Sequence, residues 1–126
     1  MIAVDSSSFI AFLKGDVGLD VERISRALEN RELVLPPIVM AEVLSNHLLP
    51  NHLIDYIGML PALRLFPEFW QRAGMLRAQL LSKKLKARLA DTLIAQCCID
   101  HHVPLITRDN DFRHFIQYGG LILLNT

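Results

Sequence analysis

The sequence predicts an α/β fold, three layers deep (α/β/α) with a short central parallel sheet, on two observations. Short runs of continuous apolar residues, at Ile2 to Val4, Leu33 to Leu35 and Pro104 to Thr107, have the pattern of strands buried on both faces. Between them lie stretches whose apolar residues recur at helical spacing, and strands alternating with helices imply a parallel sheet covered on both sides. A chain of 126 residues, 52% hydrophobic and 21% charged, suffices to close one core. No repeat, low-complexity tract or linker divides it, so a single domain over residues 1–126 is expected.

The first strand, Ile2 to Val4, runs into Asp5, three serines and a helical pattern in Phe9, Ile10, Phe12 and Leu13 that Gly15 ends. A second helix is expected from Val21 to Glu29 and a strand at Leu33 to Leu35. Pro36 and Pro37 then open a helix over Ile38 to His47 that carries Glu42, because proline's missing amide proton is no loss at a helix start. Pro50 and Pro61 frame a helix at His52 to Met59, followed by a short strand at Leu63 to Phe66. A long helix is expected over Glu68 to Lys86, and Asp91 stands where it can cap the helix running through Leu93 to Ile99. The Pro104 to Thr107 strand, a polar turn, a short helix at Phe112 to Ile116 and a last strand at Leu121 to Leu124 complete the order.

Composition excludes several classes of function. No run reaches the roughly 20 apolar residues of a membrane span, and no signal peptide is visible, so a cytoplasmic protein is expected. Cys97 and Cys98 are adjacent in an apolar helical pattern, which suits neither a disulfide framework nor a thiolate metal site. The net charge is zero, but Arg72, Arg77, Lys83, Lys84, Lys86 and Arg88 supply six of the thirteen basic residues in a stretch without an acid that leads into Asp91.

In open α/β sheets, sites form beyond the carboxyl ends of the strands. Asp5 follows the first strand there, and Asp109 and Asp111 follow the strand ending at Thr107. Glu42 and Asp91 belong to the opening turns of helices that begin near the same edge. Any one of these acids has a bland explanation as a helix cap or turn residue. Gathered together they repel one another unless a cation neutralises them, and hard divalent ions such as Mg²⁺ or Mn²⁺ take oxygen ligands. Such a site suits metal-assisted phosphodiester hydrolysis. Asp5 and Asp91 are the expected principal ligands, with Glu42 and Asp109 secondary and Asp111 an alternative fourth acid.

Four segments, "IAVDSSSFI", "PPIVMAEVLS", "LADTLIAQCC" and "PLITRDNDF", together resemble the PIN-domain family, and more narrowly the VapC-type toxins of bacterial toxin–antitoxin pairs. The resemblance spans nearly the whole chain. It implies a PIN-like fold, Mg²⁺- or Mn²⁺-dependent endoribonuclease activity on RNA, a homodimer and a small antitoxin protein as partner. It maps the family's acids onto Asp5, Glu42, Asp91 and the Asp109 or Asp111 position, and a hydroxyl that usually follows the first aspartate onto Ser6 or Ser7. Relatives often carry Thr-Asn or Thr-Ser where this chain has three serines, and a glycine or proline nearer the third acid, where this chain reads "KKLKARLAD".

Lys84, Lys86, Arg88 and Arg108 are candidate contacts for the RNA backbone, since Lys and Arg supply most sequence-independent affinity for phosphate. A run of this kind is otherwise a solvated helix face. The histidines form no pair at ligand spacing on one helix, and no glycine-framed elbow makes Ser6, Ser7 or Ser8 a nucleophile. An aspartyl-nucleophile phosphatase requires an aspartate where Ser7 stands, and a receiver domain a lysine where Arg108 stands. The remaining alternative is a non-catalytic PIN-like module that binds RNA or protein. Leu48, Leu49, Leu53 and Ile57 are candidates for an interface or for the core.

Overall fold

A computed structural model describes residues 1–124. Three parallel strands, β1 (Ile2–Val4), β2 (Leu33–Val34) and β3 (Leu105–Ile106), lie in the order β2-β1-β3, so the first strand made is the central one. Ile2 pairs with Leu33 on one side, and Val4 pairs with Ile106 on the other. Successive strand residues point to opposite faces, and Ala3 and Val4 are both fully buried, so the sheet is covered on both sides. That is the α/β/α layering expected. Among the described residues no helix is long and apolar enough to cross a membrane.

Helices α1 (Ser6–Leu13), α2 (Leu19–Glu29), α3 (Pro37–Leu44) and α4 (Asn51–Met59) are followed by α5 (Phe69–Ser82), α6 (Leu89–His101) and α7 (Arg113–Gly119). Helix α2 packs on β2 and β3, and α5, α6 and α7 pack on one another. Ile24, fully buried on α2, touches this core. Ile24→Val is expected to cost about 0.5–1.5 kcal/mol, since a methylene is lost from a packed site. The check is a lower urea midpoint at an unchanged m value. Ile57 is likewise core, whereas Leu48 is 77% exposed. Cys97 and Cys98 are buried free thiols, and burial pushes the Cys97 thiol up to about 12.

Several expectations need correction. Leu63 to Phe66 is no strand: the chain meets the sheet at a single bridge, Leu35 with Ala62. The segment is held instead by α6, where His101 stacks on Phe66 and its Nε2 lies 2.7 Å from the Arg64 carbonyl. Among the described residues the last strand likewise reduces to one bridge, Leu105 with Leu123.

Helix α5 stops at Ser82, four residues early. Lys84 turns left-handed (φ 59°), and the Leu85 and Lys84 amides close back onto the Leu80 and Leu81 carbonyls. This is a Schellman end, built with lysine in the place glycine usually takes, which is why the sequence does not announce it. Finally, Asp91 does not cap α6. Arg88 is the cap residue and Asp91 the third helical residue, where a carboxylate still gains from the positive end of the helix.

Candidate metal centre

The site begins where β1 ends. The Asp5 amide donates to the Ile106 carbonyl, keeping the residue in the sheet, and its side chain caps α1 by accepting from the Ser8 amide at 3.0 Å. Ser7 Oγ donates to both carboxylate oxygens, at 3.1 and 2.9 Å, and Thr107 Oγ1 donates to Oδ2 at 2.5 Å. Asp5 is only 3% exposed. Burial raises its pKa above the ordinary aspartate value, against the opposing hydrogen bonds from Thr107, Ser8 and Ser7, and nearby Asp109 adds to the rise.

Strand β3 delivers the next two acids. Beyond it, Thr107 Oγ1 accepts from the Asp109 amide at 3.0 Å, so one hydroxyl fixes the backbone of Asp109 and the side chain of Asp5 together. Asp109 caps a 3₁₀ turn, Asn110–Phe112, by accepting from the Asp111 amide at 2.9 Å. Phe112, 1% exposed, anchors this turn in the core. Asp91 arrives from the first turn of α6.

Asp91, Asp109 and Asp111 each place a carboxylate oxygen within 4.8 Å of the others. Among the described residues Asp91 Oδ2 is buried without a hydrogen-bond partner. Its pKa is pushed up to about 6, first by burial and then by Asp109, with Asp5 and Glu42 adding and Arg88 opposing. Glu42 therefore belongs to the same electrostatic neighbourhood. It is the sixth residue of α3, not in its opening turn, and Ser6 Oγ donates to it at 2.6 Å. Asp111 differs from its neighbours: Lys86 Nζ lies 2.8 Å from its Oδ2 and holds its pKa below the usual aspartate range.

An orphaned buried carboxylate oxygen, beside two further carboxylates, fits a hard divalent cation. The donors are all oxygen, with neither thiolate nor imidazole among them, which favours Mg²⁺ or Mn²⁺ over zinc. Asp91, Asp109 and Asp111 form the cluster whose oxygens lie close enough together to share one cation. Asp5 adjoins them with both oxygens already accepting hydrogen bonds, and Glu42 stands at the margin.

Much of the basic stretch is already engaged. Arg72 pairs with Asp100, Arg77 Nε donates to the Ala87 carbonyl at 2.8 Å, and Lys83 lies over the Tyr118 ring. Arg108 forms a forked pair with Asp20, at 2.7 and 3.1 Å, which ties the end of β3 to α2. Lys84 and Arg88 are exposed and make no ion pair among the described residues. The position that sequence reasoning passed over is Thr107. Its only signal is a hydroxyl at the carboxyl end of a strand, directly before the acids.

The PIN domain family model matches residues 2–116. No curated protein matches the chain. Among solved structures, the chain resembles one in the crystal structure of VapBC2 from Rickettsia felis bound to a DNA fragment from their promoter. The TM-score is 0.73 at 23% identity, covering 100% of this chain and 99% of that one. It also resembles a chain in the structure of VapBC-5 from Mycobacterium tuberculosis, a member of the VapBC family of toxin–antitoxin systems. There the TM-score is 0.68 at 16% identity, covering 99% and 98%. At these identities the likeness concerns the fold. The family model, matched over nearly the whole length and joined to acids gathered at the carboxyl edge of the sheet, decides the classification: this chain belongs to the PIN domain family.

Proposed function

We propose that this chain is a Mg²⁺- or Mn²⁺-dependent endoribonuclease and the toxin of a type II toxin–antitoxin pair. The observation that carries the reading is the Asp91 carboxylate, half of it orphaned and its pKa lifted to about 6 among neighbouring acids. Such an arrangement is unfavourable on its own and favourable around a cation. A divalent ion held there supplies an activated water and neutralises charge on the phosphate.

The chain's own residues do the rest. Asp91, Asp109 and Asp111 hold the ion, while Asp5 and Glu42 complete the negative site with orientations set by Ser7, Thr107 and Ser6. Lys84 and Arg88 face solvent, Arg88 close enough for its charge to act on Asp91, and both are assigned to the RNA backbone. Lys86 and Arg108, the other two candidates for the RNA backbone, are paired with Asp111 and Asp20.

The partner in this reading is an antitoxin, as in the VapBC complexes the fold resembles. An apolar groove of about 410 Å³ lined by Ile10, Leu13, Val43, Leu49 and Leu53 opens beside Glu42, so a segment seated in it borders the acids. A homodimer is part of the same proposal.

The test is incubation of purified protein with a mixed cellular RNA pool in Mg²⁺ or Mn²⁺, in EDTA, and with the Asp5→Asn and Asp91→Asn variants. Discrete fragments that vanish with EDTA and in both variants are expected. Cleavage that persists in EDTA refutes the reading. A folded protein that binds Mn²⁺ and cuts nothing in the pool points to the non-catalytic module.

A further inference from the structure

The geometry points to Lys86 as a tethered counter-cation of the acid cluster, one that a divalent ion must displace from Asp111 and that thereby weakens and sets the affinity of the site for metal. The inference rests on the metal-site reading above and concerns a residue that reading leaves without a role at the ion.

Lys86 is not a loose surface lysine that happens to fall near an acid. The Schellman end of α5 fixes the backbone up to Leu85, and Arg77 Nε fixes the carbonyl of Ala87. Leu85 packs against the core and Ala87 is 5% exposed, so both residues flanking Lys86 point inward. In this short link between α5 and α6 the lysine between them is half exposed, and its Nζ reaches Asp111 Oδ2 at 2.8 Å.

Asp111 is one of the three residues whose carboxylate oxygens share the cluster. The cluster is thus neutralised unevenly: Asp111 already has a cation, while Asp91 Oδ2 has no partner. An incoming ion meets unclaimed charge at Asp91 and a competitor at Asp111. Lysine and a divalent ion cannot share the Asp111 oxygens without repulsion between two like charges a few ångströms apart. The side chain of Lys86 is about half exposed, so it can swing into solvent when displaced. Solvent screening keeps the penalty moderate.

The experiment is Mn²⁺ binding, measured by isothermal titration calorimetry at 0.15 M KCl on the wild-type chain and the Lys86→Met, Lys86→Arg, Lys83→Met and Asp91→Asn variants. Lys86→Met keeps the apolar stem and removes the charge, and is expected to tighten Mn²⁺ binding roughly three- to tenfold. Lys86→Arg should match wild type, because the competing cation is retained. Lys83→Met takes the same charge from a lysine that faces Tyr118, and should leave the affinity unchanged. Unchanged affinity in Lys86→Met, or equal tightening in Lys83→Met, overturns the role of Lys86 and leaves the metal site standing. A wild-type chain that binds no Mn²⁺, or an Asp91→Asn chain that binds it equally well, removes the metal site itself.

Discussion

Asp91→Asn is expected to lower metal-dependent RNA cleavage by at least about a thousandfold and, with metal absent, to make the protein more stable than wild type at neutral pH. The two effects have one cause. Asp91 carries the oxygen that no protein donor satisfies, and its negative charge is disfavoured by burial and by Asp109. Asparagine has the same shape without the charge.

The pKa of Asp91 is raised from 3.8 to about 6 in the folded protein, so between these values the native state binds more protons than the unfolded one. Stability therefore falls as pH rises through this window and stays at its lower level above pH 6. The advantage of the variant is absent below the unfolded value and complete above the folded one. Partial exposure screens the effect, leaving about 1–2 kcal/mol, or roughly 4–8 °C in melting temperature. Saturating Mg²⁺ should reverse the order, since only wild type gains fully from binding the ion. Melting curves at pH 4 and pH 7.5, with EDTA and with Mg²⁺, test all four corners. Equal stabilities at pH 7.5 in EDTA contradict the account.

Thr107→Val is expected to reduce cleavage roughly 10- to 100-fold while leaving the fold intact, by analogy with the loss of other groups that orient metal ligands. The single hydroxyl donates to Asp5 Oδ2 and accepts from the amide of Asp109, so valine, of nearly equal shape, releases two acids at once. Its hydrogen bond opposes the rise in the Asp5 pKa, and losing it lets that pKa climb further. The acidic limb of the pH–activity profile should accordingly move to higher pH, and Thr107→Ser should restore it. A profile unmoved in the valine variant would show that Thr107 serves packing alone.

That the acids gather was legible for a simple reason: three of them follow strand ends, and a parallel sheet sends every strand end to one edge. Asp5, Asp109 and Asp111 needed only the strands Ile2 to Val4 and Leu105 to Ile106 to be recognised. Asp91 reached the right place despite a mistaken capping role, because a shift of three residues at a helix start leaves it in the first turn. The expectation failed where tertiary contacts overrode local pattern. Leu63 to Phe66 has the composition of a strand, but only its start reaches the sheet, at Leu35, and the rest packs against His101 of α6. The end of α5 was hidden because a lysine adopts the left-handed turn. Side-chain pairings such as Lys86 with Asp111 and Arg108 with Asp20 link separate elements and leave no periodic trace in the sequence.

The order β2-β1-β3 also bears on how the protein is born. The strand at the centre of the sheet leaves the ribosome first and waits for both neighbours, the second of which lies about a hundred residues later, as the separation of 102 between Asp5 and Thr107 records. Until Leu105 and Ile106 emerge, β1 has an open edge, and Asp5 lacks Thr107, Asp109 and Asp111. Contacts of such long sequence separation form late. A nascent chain lacking β3 therefore carries no assembled acid cluster, and a product truncated before β3 leaves one edge of its central strand unpaired, the kind of edge that favours aggregation. Vectorial synthesis thus leaves the acids unassembled until β3 has been made.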